Sequence, residues 1–358
     1  MAAVGAHPSA RQLGFLSAAL RSHSDCGAFG FALGASLGPV GVSVPGDASP
    51  ALVGCADVAL AIGVTSLPAI KLLLATRWLG VPCVVSERNF PPSKRIGRLW
   101  SGLRRFSYPW AALHLVQTQA VGEWMKTHLG AHQQLLLPNP VQWPLARFRP
   151  SFDPHVWLSS RGCGSTDPVL LAVGTKADQK GFDRLVRWWI PLAQADARLQ
   201  LVIVGLDERP YHGRDQQADL RELLADQPEL QERLHFPGRV GNLADWYART
   251  QLFVLSSRYE GFPNVLLEAM AAGCCCVAAD CPQGPADLIQ DGVNGRLVPA
   301  AASDMQWVQL LRTLLTDVGE RQRLAANALE VRELYAPAGL QQRLTQALEC
   351  LVGEAPQN

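Results

Sequence analysis

Glu260 and Glu268 stand eight positions apart around the turn Gly261-Phe262-Pro263, directly after the apolar run Leu252–Leu255. That run reads as a buried strand, Gly261 and Pro263 break it, and residues 265–272 are strong helix formers. A helix is therefore expected to start near Pro263 and to end at Gly273. Glu260 falls in the loop at the carboxyl end of the strand, and Glu268 about a turn and a half inside the helix. Carboxylates accept paired hydrogen bonds from hydroxyls, and the free N–H groups of a helix start favour a phosphate. Two hydroxyl acceptors flanking an anion site suit a nucleotide sugar. Taken alone, Glu260 reads as a solvated loop acid and Glu268 as a surface helix residue.

Such a loop needs strands to hold it. Short apolar runs alternate with helical patterns along the chain, the mark of parallel sheets with crossover helices. Residues 58–62, 83–86, 113–117 and 134–137 read as strands, separated by helical patterns such as Leu67–Leu79 and 120–129. After Leu137-Pro138-Asn139-Pro140-Val141 comes a stretch rich in Pro, Arg and Ser. A second series of strands follows at 169–174, 201–205, 234–236, Leu252–Leu255 and 276–279, and helices near 310–315, 320–334 and 340–351 close the chain. With 358 residues there is room for two ordinary domains. The expected organisation is a first domain over 1–141, a linker over 142–167, a second domain over 168–335, and a C-terminal helix over 336–358 returning to the first. The fold class is α/β: two doubly wound, Rossmann-like domains facing a cleft at the carboxyl ends of their strands.

The run from Ser256 to Gly273, with Asp280-Cys281-Pro282-Gln283-Gly284-Pro285 and Asp291-Gly292-Val293-Asn294-Gly295-Arg296-Leu297-Val298-Pro299, closely resembles the C-terminal half of retaining glycosyltransferases of the GT-B fold, glycosyltransferase family 4 (group 1). The resemblance is strong over 168–335 and weak over 56–141. It implies that Glu260 is catalytic and contacts the hydroxyls of the transferred sugar, and that Glu268 holds the ribose. Gly261, Phe262, Pro263, Asn264, Val265 and Leu266 then form the donor loop, with N–H groups near Asn264 and Val265 facing the diphosphate and sugar.

A second phosphate contact is expected from the segment Gly174-Thr175-Lys176-Ala177-Asp178-Gln179-Lys180-Gly181. The strand ends at Gly174 and a helix opens near Gly181, so Lys180 stands at another helix start with its ammonium within reach of a diphosphate. Relatives usually carry Arg where this chain has Thr175; Lys176 supplies charge there without a planar fork. For both lysines the alternative is an exposed helix residue. Arg239, in Phe236-Pro237-Gly238-Arg239-Val240, frames the base or is a solvated turn arginine. The mechanism implied is transfer with retention, Lys180 and the helix start stabilising the departing nucleoside diphosphate. No Asp-X-Asp triplet occurs, which favours a metal-independent enzyme with no cofactor beyond its nucleotide-sugar substrate. Glycoside hydrolysis also uses two carboxylates, but the phosphate-directed features would then have no purpose.

A formal net charge of +1 gives no global basicity that would argue for nucleic acid. Of the nine cysteines, five are isolated, and Cys274, Cys275 and Cys276 are consecutive, so that on a strand they cannot converge on one metal. They read as small buried hydrophobes in a reducing cytosol. No segment reads as a signal peptide, and the uncharged stretch 26–46, rich in glycine, reads as two short strands and not as a membrane span. A cytoplasmic protein, or one peripheral on the inner face of the membrane, is expected.

On the acceptor side, Glu87, Arg88 and Asn89 end a strand and point at the expected cleft, a salt-bridged loop being the equal alternative. Residues 94–106 place Ile96, Leu99, Trp100, Leu103 and Phe106 at helical spacing among Lys94, Arg95, Arg98, Arg104 and Arg105. That amphipathic helix either presses into an anionic membrane carrying a lipid-linked glycan acceptor or docks on its own domain. A helical pattern begins by about Pro8, so residues 1–7 are expected to be too short for a strand plus its turn, and the first domain to lack its first strand unless residues precede Met1. A chain without that strand would be poorly soluble and weak at acceptor transfer. The best reading is transfer of a hexose or N-acetylhexosamine, from a UDP-sugar, to a growing surface polysaccharide of the cell envelope. The runner-up is a catalytically weak or non-catalytic nucleotide-sugar-binding scaffold, motivated by Thr175 and the short first domain.

Overall fold

The computed structural model describes residues 2–5, 59–62, 67–87, 97–207, 211 and 213–353. The chain divides into two compact units, Met1–Pro140 with Tyr335–Asn358, and Val141–Leu334. Residues 26–46 and the helix expected from Pro8 lie outside the described residues.

In the first unit the strands β1 (Ala2–Gly5), β2 (Ala59–Ile62), β3 (Cys83–Glu87), β4 (Leu113–Val116) and β5 (Gln134–Leu136) form one sheet in that order, parallel throughout. The expectation of a missing first strand is corrected. Ala2–Gly5 pairs residue for residue with Ala59–Ile62, because four residues of extended chain, small and apolar, satisfy a short neighbouring strand. Helices α1 (Leu67–Leu79), α2 (Arg98–Ser107) and α3 (Gln119–Leu129) lie between the strands. Thr118 caps α3 by accepting from the Val121 N–H, and Gly130 in the left-handed region ends it. Leu73, Val85, Tyr108 and Met125 meet in the core.

The second unit has six parallel strands: β6 (Val169–Val173), β7 (Gln200–Val204), β8 (Leu234–Gly238), β9 (Leu252–Leu255), β10 (Cys276–Asp280) and β11 (Arg296–Pro299). Their order is β11-β10-β9-β6-β7-β8. The first, second and fourth are buried along their whole length, the continuous apolar runs of a sheet covered on both faces. One cover is α5 (Phe182–Ala195), preceded by the short α4 (Ala177–Lys180). Phe182, Leu185, Val186, Trp189 and Leu192 recur at helical spacing on its buried face. Trp188 stacks on Trp307 of the helix Asp304–Thr316 at 4.0 Å, its indole N–H donating to Asp304 at 2.6 Å.

Residues 142–167, expected as a linker, are bound into this unit. Asp153 caps a helix at Pro154–Ser159, Leu145 and Leu158 are buried, the Phe148 N–H donates to the Gly241 carbonyl, and the Gly241 N–H donates to the Pro150 carbonyl. Proline and arginine content signalled an exposed tether, but prolines also suit an irregular chain packed on a domain.

Candidate active site

The strand order of the second unit reverses between β6 and β9, so the loops leaving these two neighbours diverge and open a crevice beyond their carboxyl ends. Both motifs singled out in the sequence leave from there. After β6 the chain passes Gly174 into α4, with Lys180 as its last residue. The helix α6 (Leu243–Ala248) leads into β9, after which the chain passes Ser256 to Glu260 and the Gly261-Phe262-Pro263 turn into α7 (Asn264–Ala271).

The two loops meet in one ion pair. Lys180 Nζ donates to Glu260 Oε1 at 2.7 Å, the side chains being 14% and 5% exposed, and the Ser257 hydroxyl donates to the same oxygen. Gly174 makes room for this: a Cβ there would stand 2.6 Å from Lys180 Cγ. Gly181 turns the chain at φ 64°, and a Cβ there would lie 2.2 Å from the Ser256 carbonyl oxygen. The loops are stitched together by further bonds. Ser256 Oγ donates to Lys180 O at 2.8 Å, and Arg184 donates to the Ser256 and Ser257 carbonyls at 2.8 and 2.6 Å. Arg258 forks onto the Asp183 carboxylate at 2.8 and 2.7 Å. Burial works to raise the Asp183 pKa, but the Arg258 fork prevails and holds it below the usual carboxylate value.

In the donor loop Phe262, Pro263 and Leu266 are buried and anchor the turn, Asn264 is exposed at the helix start, and Gly261 and Val265 are half-buried. Glu268 is buried on α7, and Tyr247 Oη bonds the Val265 carbonyl at 3.1 Å. Glu260, Gly261 and Lys180 are thus brought together. The Lys176 ammonium lies 6.0 Å from the Tyr211 ring centroid, and Arg239 forms an ion pair with Asp207 at 2.9 Å.

Sequence reasoning missed the bracing role of Ser257, Arg184 and Arg258, although Ser257 and Arg258 lie inside the quoted run. It also passed over Gln283, whose φ of 63° is the one left-handed non-glycine among the described residues and whose Oε1 is buried without a hydrogen bond. Its neighbour Gly284 packs on Pro263, so this loop abuts the donor turn. Cys83, Cys163, Cys274, Cys275, Cys276 and Cys281 are free and buried, and burial pushes the Cys275 and Cys281 thiols up to about 12.

In the first unit Glu87 is drawn inward. Its Oε2 accepts from Arg104 and, at 2.6 Å, from the Tyr108 hydroxyl, with all three residues buried. Burial first, then the Glu87 charge, pushes the Tyr108 phenol far up, so it stays a donor. Of the two alternatives for Glu87, the salt-bridged one is what the geometry contains; Arg88 and Asn89 lie outside the described residues. The expectation that Arg104 lies on an exposed basic face is corrected by this pair. Lys94, Arg95 and Ile96 are outside the described residues, and α2 starts at Arg98.

Two parallel-sheet α/β units, one with its ligand loops at a topological switch point, define a GT-B fold. Solved structures agree on the fold. HepE of Anabaena, in a structure with UDP-glucose, superposes with a TM-score of 0.73 at 18% identity over 98% of both chains. Sucrose-phosphate synthase of Thermosynechococcus elongatus gives 0.69 at 17% identity, over 98% of this chain and 99% of that one. Residues 167–317 match the family Glycosyl transferases group 1, so the similarity lies within the second unit.

Curated relatives include the lipopolysaccharide core biosynthesis mannosyltransferase LpsB of Rhizobium meliloti, 29% identical over 180 residues that cover 50% of each chain. The D-inositol 3-phosphate glycosyltransferase of Xylanimonas cellulosilytica is 35% identical over 164 residues, 45% of this chain and 37% of that protein. The chain thus spans half or less of the length of these relatives.

Proposed function

We propose that the chain is a retaining, family 4 glycosyltransferase that moves a hexose or N-acetylhexosamine from a UDP-sugar to a growing, lipid-linked surface polysaccharide at the cytoplasmic face of the membrane. The observation that carries the reading is the buried Lys180–Glu260 pair at the switch point of the second unit. Desolvating the ammonium and the carboxylate offsets much of their mutual attraction, so the pair contributes little net stability. An incoming diphosphate gives that ammonium a new partner and leaves Glu260 to accept from sugar hydroxyls. HepE has been solved in complex with UDP and with UDP-glucose, and relatives are named for lipopolysaccharide core and amylovoran biosynthesis, which supports a nucleotide donor and a glycan acceptor.

In this reading Lys180 and the N–H groups at the start of α7 take up the negative charge that builds as the nucleoside diphosphate leaves. Ser257 fixes the Glu260 carboxylate, Glu268 accepts from the ribose, and Arg184 and Arg258 hold the two loops at a constant spacing. Lys176 is an auxiliary cation and Arg239 a contact to the base. The test is a panel of nucleotide sugars scored first by thermal stabilisation and then by hydrolysis or transfer. A bound donor raises the melting temperature by mass action. Stabilisation by a UDP-sugar followed by turnover is expected; stabilisation without turnover would favour the scaffold reading, and no response to any nucleotide sugar would remove both.

A further inference from the structure

Between Asp57 and Glu123 the chain carries eight lysines and arginines and one acid, Glu87. The structure removes that acid from the surface, because its carboxylate is buried against Arg104 and Tyr108. The helices α1 and α2, which lie in this interval and pack on each other, therefore present cations with no exposed acid of their own. They also present large apolar side chains. Trp78 is 80%, Leu99 75% and Phe106 67% exposed, among the most exposed large hydrophobic residues of the described chain. Leu99 and Phe106 are seven positions apart and share one face of α2, with Arg98 and Arg105 exposed beside them. Phe106 meets the Trp110 ring edge-to-face at 4.7 Å, and the Arg77 guanidinium lies 5.4 Å from the centroid of that ring. This bridge sets the C-terminal end of α1, where Trp78 follows Arg77, against the C-terminal end of α2.

We propose that this face docks the first unit onto an anionic lipid surface. It rests on the lipid-linked acceptor in the function proposed above and deepens it by naming the partner of the first unit. Charge selects the occupant. A neutral protein groove would match the apolar side chains but leave Arg77, Arg98 and Arg105 without counter-charges, whereas phosphate-bearing headgroups pair with guanidiniums while the acyl boundary takes the rings and Leu99. Tryptophan beside arginine is the pairing favoured at the headgroup level. Two consequences differ from those of a generic amphipathic helix over 94–106. Arg104 takes no part because it is committed to Glu87, and α1 contributes Trp78.

The experiment is co-sedimentation of the full chain with vesicles of phosphatidylcholine alone or mixed with phosphatidylglycerol, at low and high salt. Binding is expected only to the mixed vesicles and should weaken with salt. Arg98→Glu with Arg105→Glu should weaken it by about tenfold or more, since each cation near such a surface contributes severalfold. Leu99→Ser with Phe106→Ser should weaken it comparably at unchanged charge. Arg149→Glu with Arg312→Glu, exposed positions of the second unit, should leave it unchanged. Melting curves and the response to nucleotide sugars are read on the same samples, so that a failed docking face and a failed donor site are told apart. Equal binding by wild type and the Arg98/Arg105 variant, or equal loss in the second-unit control, would overturn the proposal. So would absence of vesicle binding together with a dimer that Leu99→Ser and Phe106→Ser dissolve.

Discussion

Glu260 Oε1 accepts from both Lys180 and Ser257, and in the proposed function the same carboxylate meets the donor sugar. Glu260→Gln keeps an acceptor for Lys180 but removes the charge. Turnover is expected to fall about a hundredfold or more while nucleotide binding changes little, measured by steady-state transfer and by calorimetric titration with UDP. Wild-type turnover would take Glu260 out of the reaction. Glu268→Ala should show the opposite split, weaker nucleotide binding with a smaller effect on the chemical step. In the first unit, Arg104→Ala strands the buried Glu87 charge and should cost about 3–5 kcal/mol of that unit's stability. Arg104→Met combined with Glu87→Leu should recover most of it, which chemical denaturation would read directly.

At the scale of elements, the site depends on how α4 hands over to α5. Gly181 closes the first helix and opens the second from the left-handed region, and its missing side chain lets the turn lie against the Ser256 carbonyl. Gly181→Ala should cost about 1–3 kcal/mol through the backbone alone. It should also push Lys180 off Glu260, so donor turnover drops by more than stability loss explains. The comparison to make is activity well below the melting temperature, where an unchanged rate would show that the turn tolerates a methyl group. Secondary structure here was largely visible in advance. The continuous apolar runs at β6, β7 and β9 could only be covered strands, and the Pro263 and Gly273 boundaries of α7 follow from backbone chemistry. The helix inside 142–167 and strand β11 were not, because segments of six and four residues are too short to show a period.

At the scale of the molecule, pH and metal dependence separate the readings. His235 on β8 is buried, with Nε2 2.9 Å from Gln200 Oε1; burial, then the Arg161 and Arg221 charges, depress its pKa from 6.5 to about 4. The fold thus keeps the ring neutral while an unfolded chain takes up a proton. Stability should be constant above about pH 6.5, fall as pH drops towards 4, and level off below, losing about 3 kcal/mol in that window. Urea midpoints across the range would show it, and His235→Gln should flatten that part of the curve; an unaltered slope would assign the loss to carboxylates instead. Since the sequence has no Asp-X-Asp triplet and the proposed mechanism sets Lys180 against the departing diphosphate, EDTA should leave donor turnover intact. Activity abolished by chelation and restored by manganese would contradict this.

The chain's own residues determined the class of the second unit and the types of group in its site. Strand-turn-helix chemistry around Gly261 and Pro263, and the lysine at the end of α4, are local, and local backbone preferences act within a few residues. Tertiary structure alone decided which groups meet. Lys180 and Glu260 are eighty positions apart and share a hydrogen bond only because the strands that launch their loops are neighbours where the sheet order reverses. The same holds in the first unit. Arg104 has the spacing of an exposed basic helix, yet it turns inward because Glu87 and Tyr108 are there to neutralise and solvate it, while Leu99 and Phe106, hydrophobic by type, stay outside. Which face of a helix is buried depends on partners distant in sequence, and periodicity marks a face without saying what lies opposite.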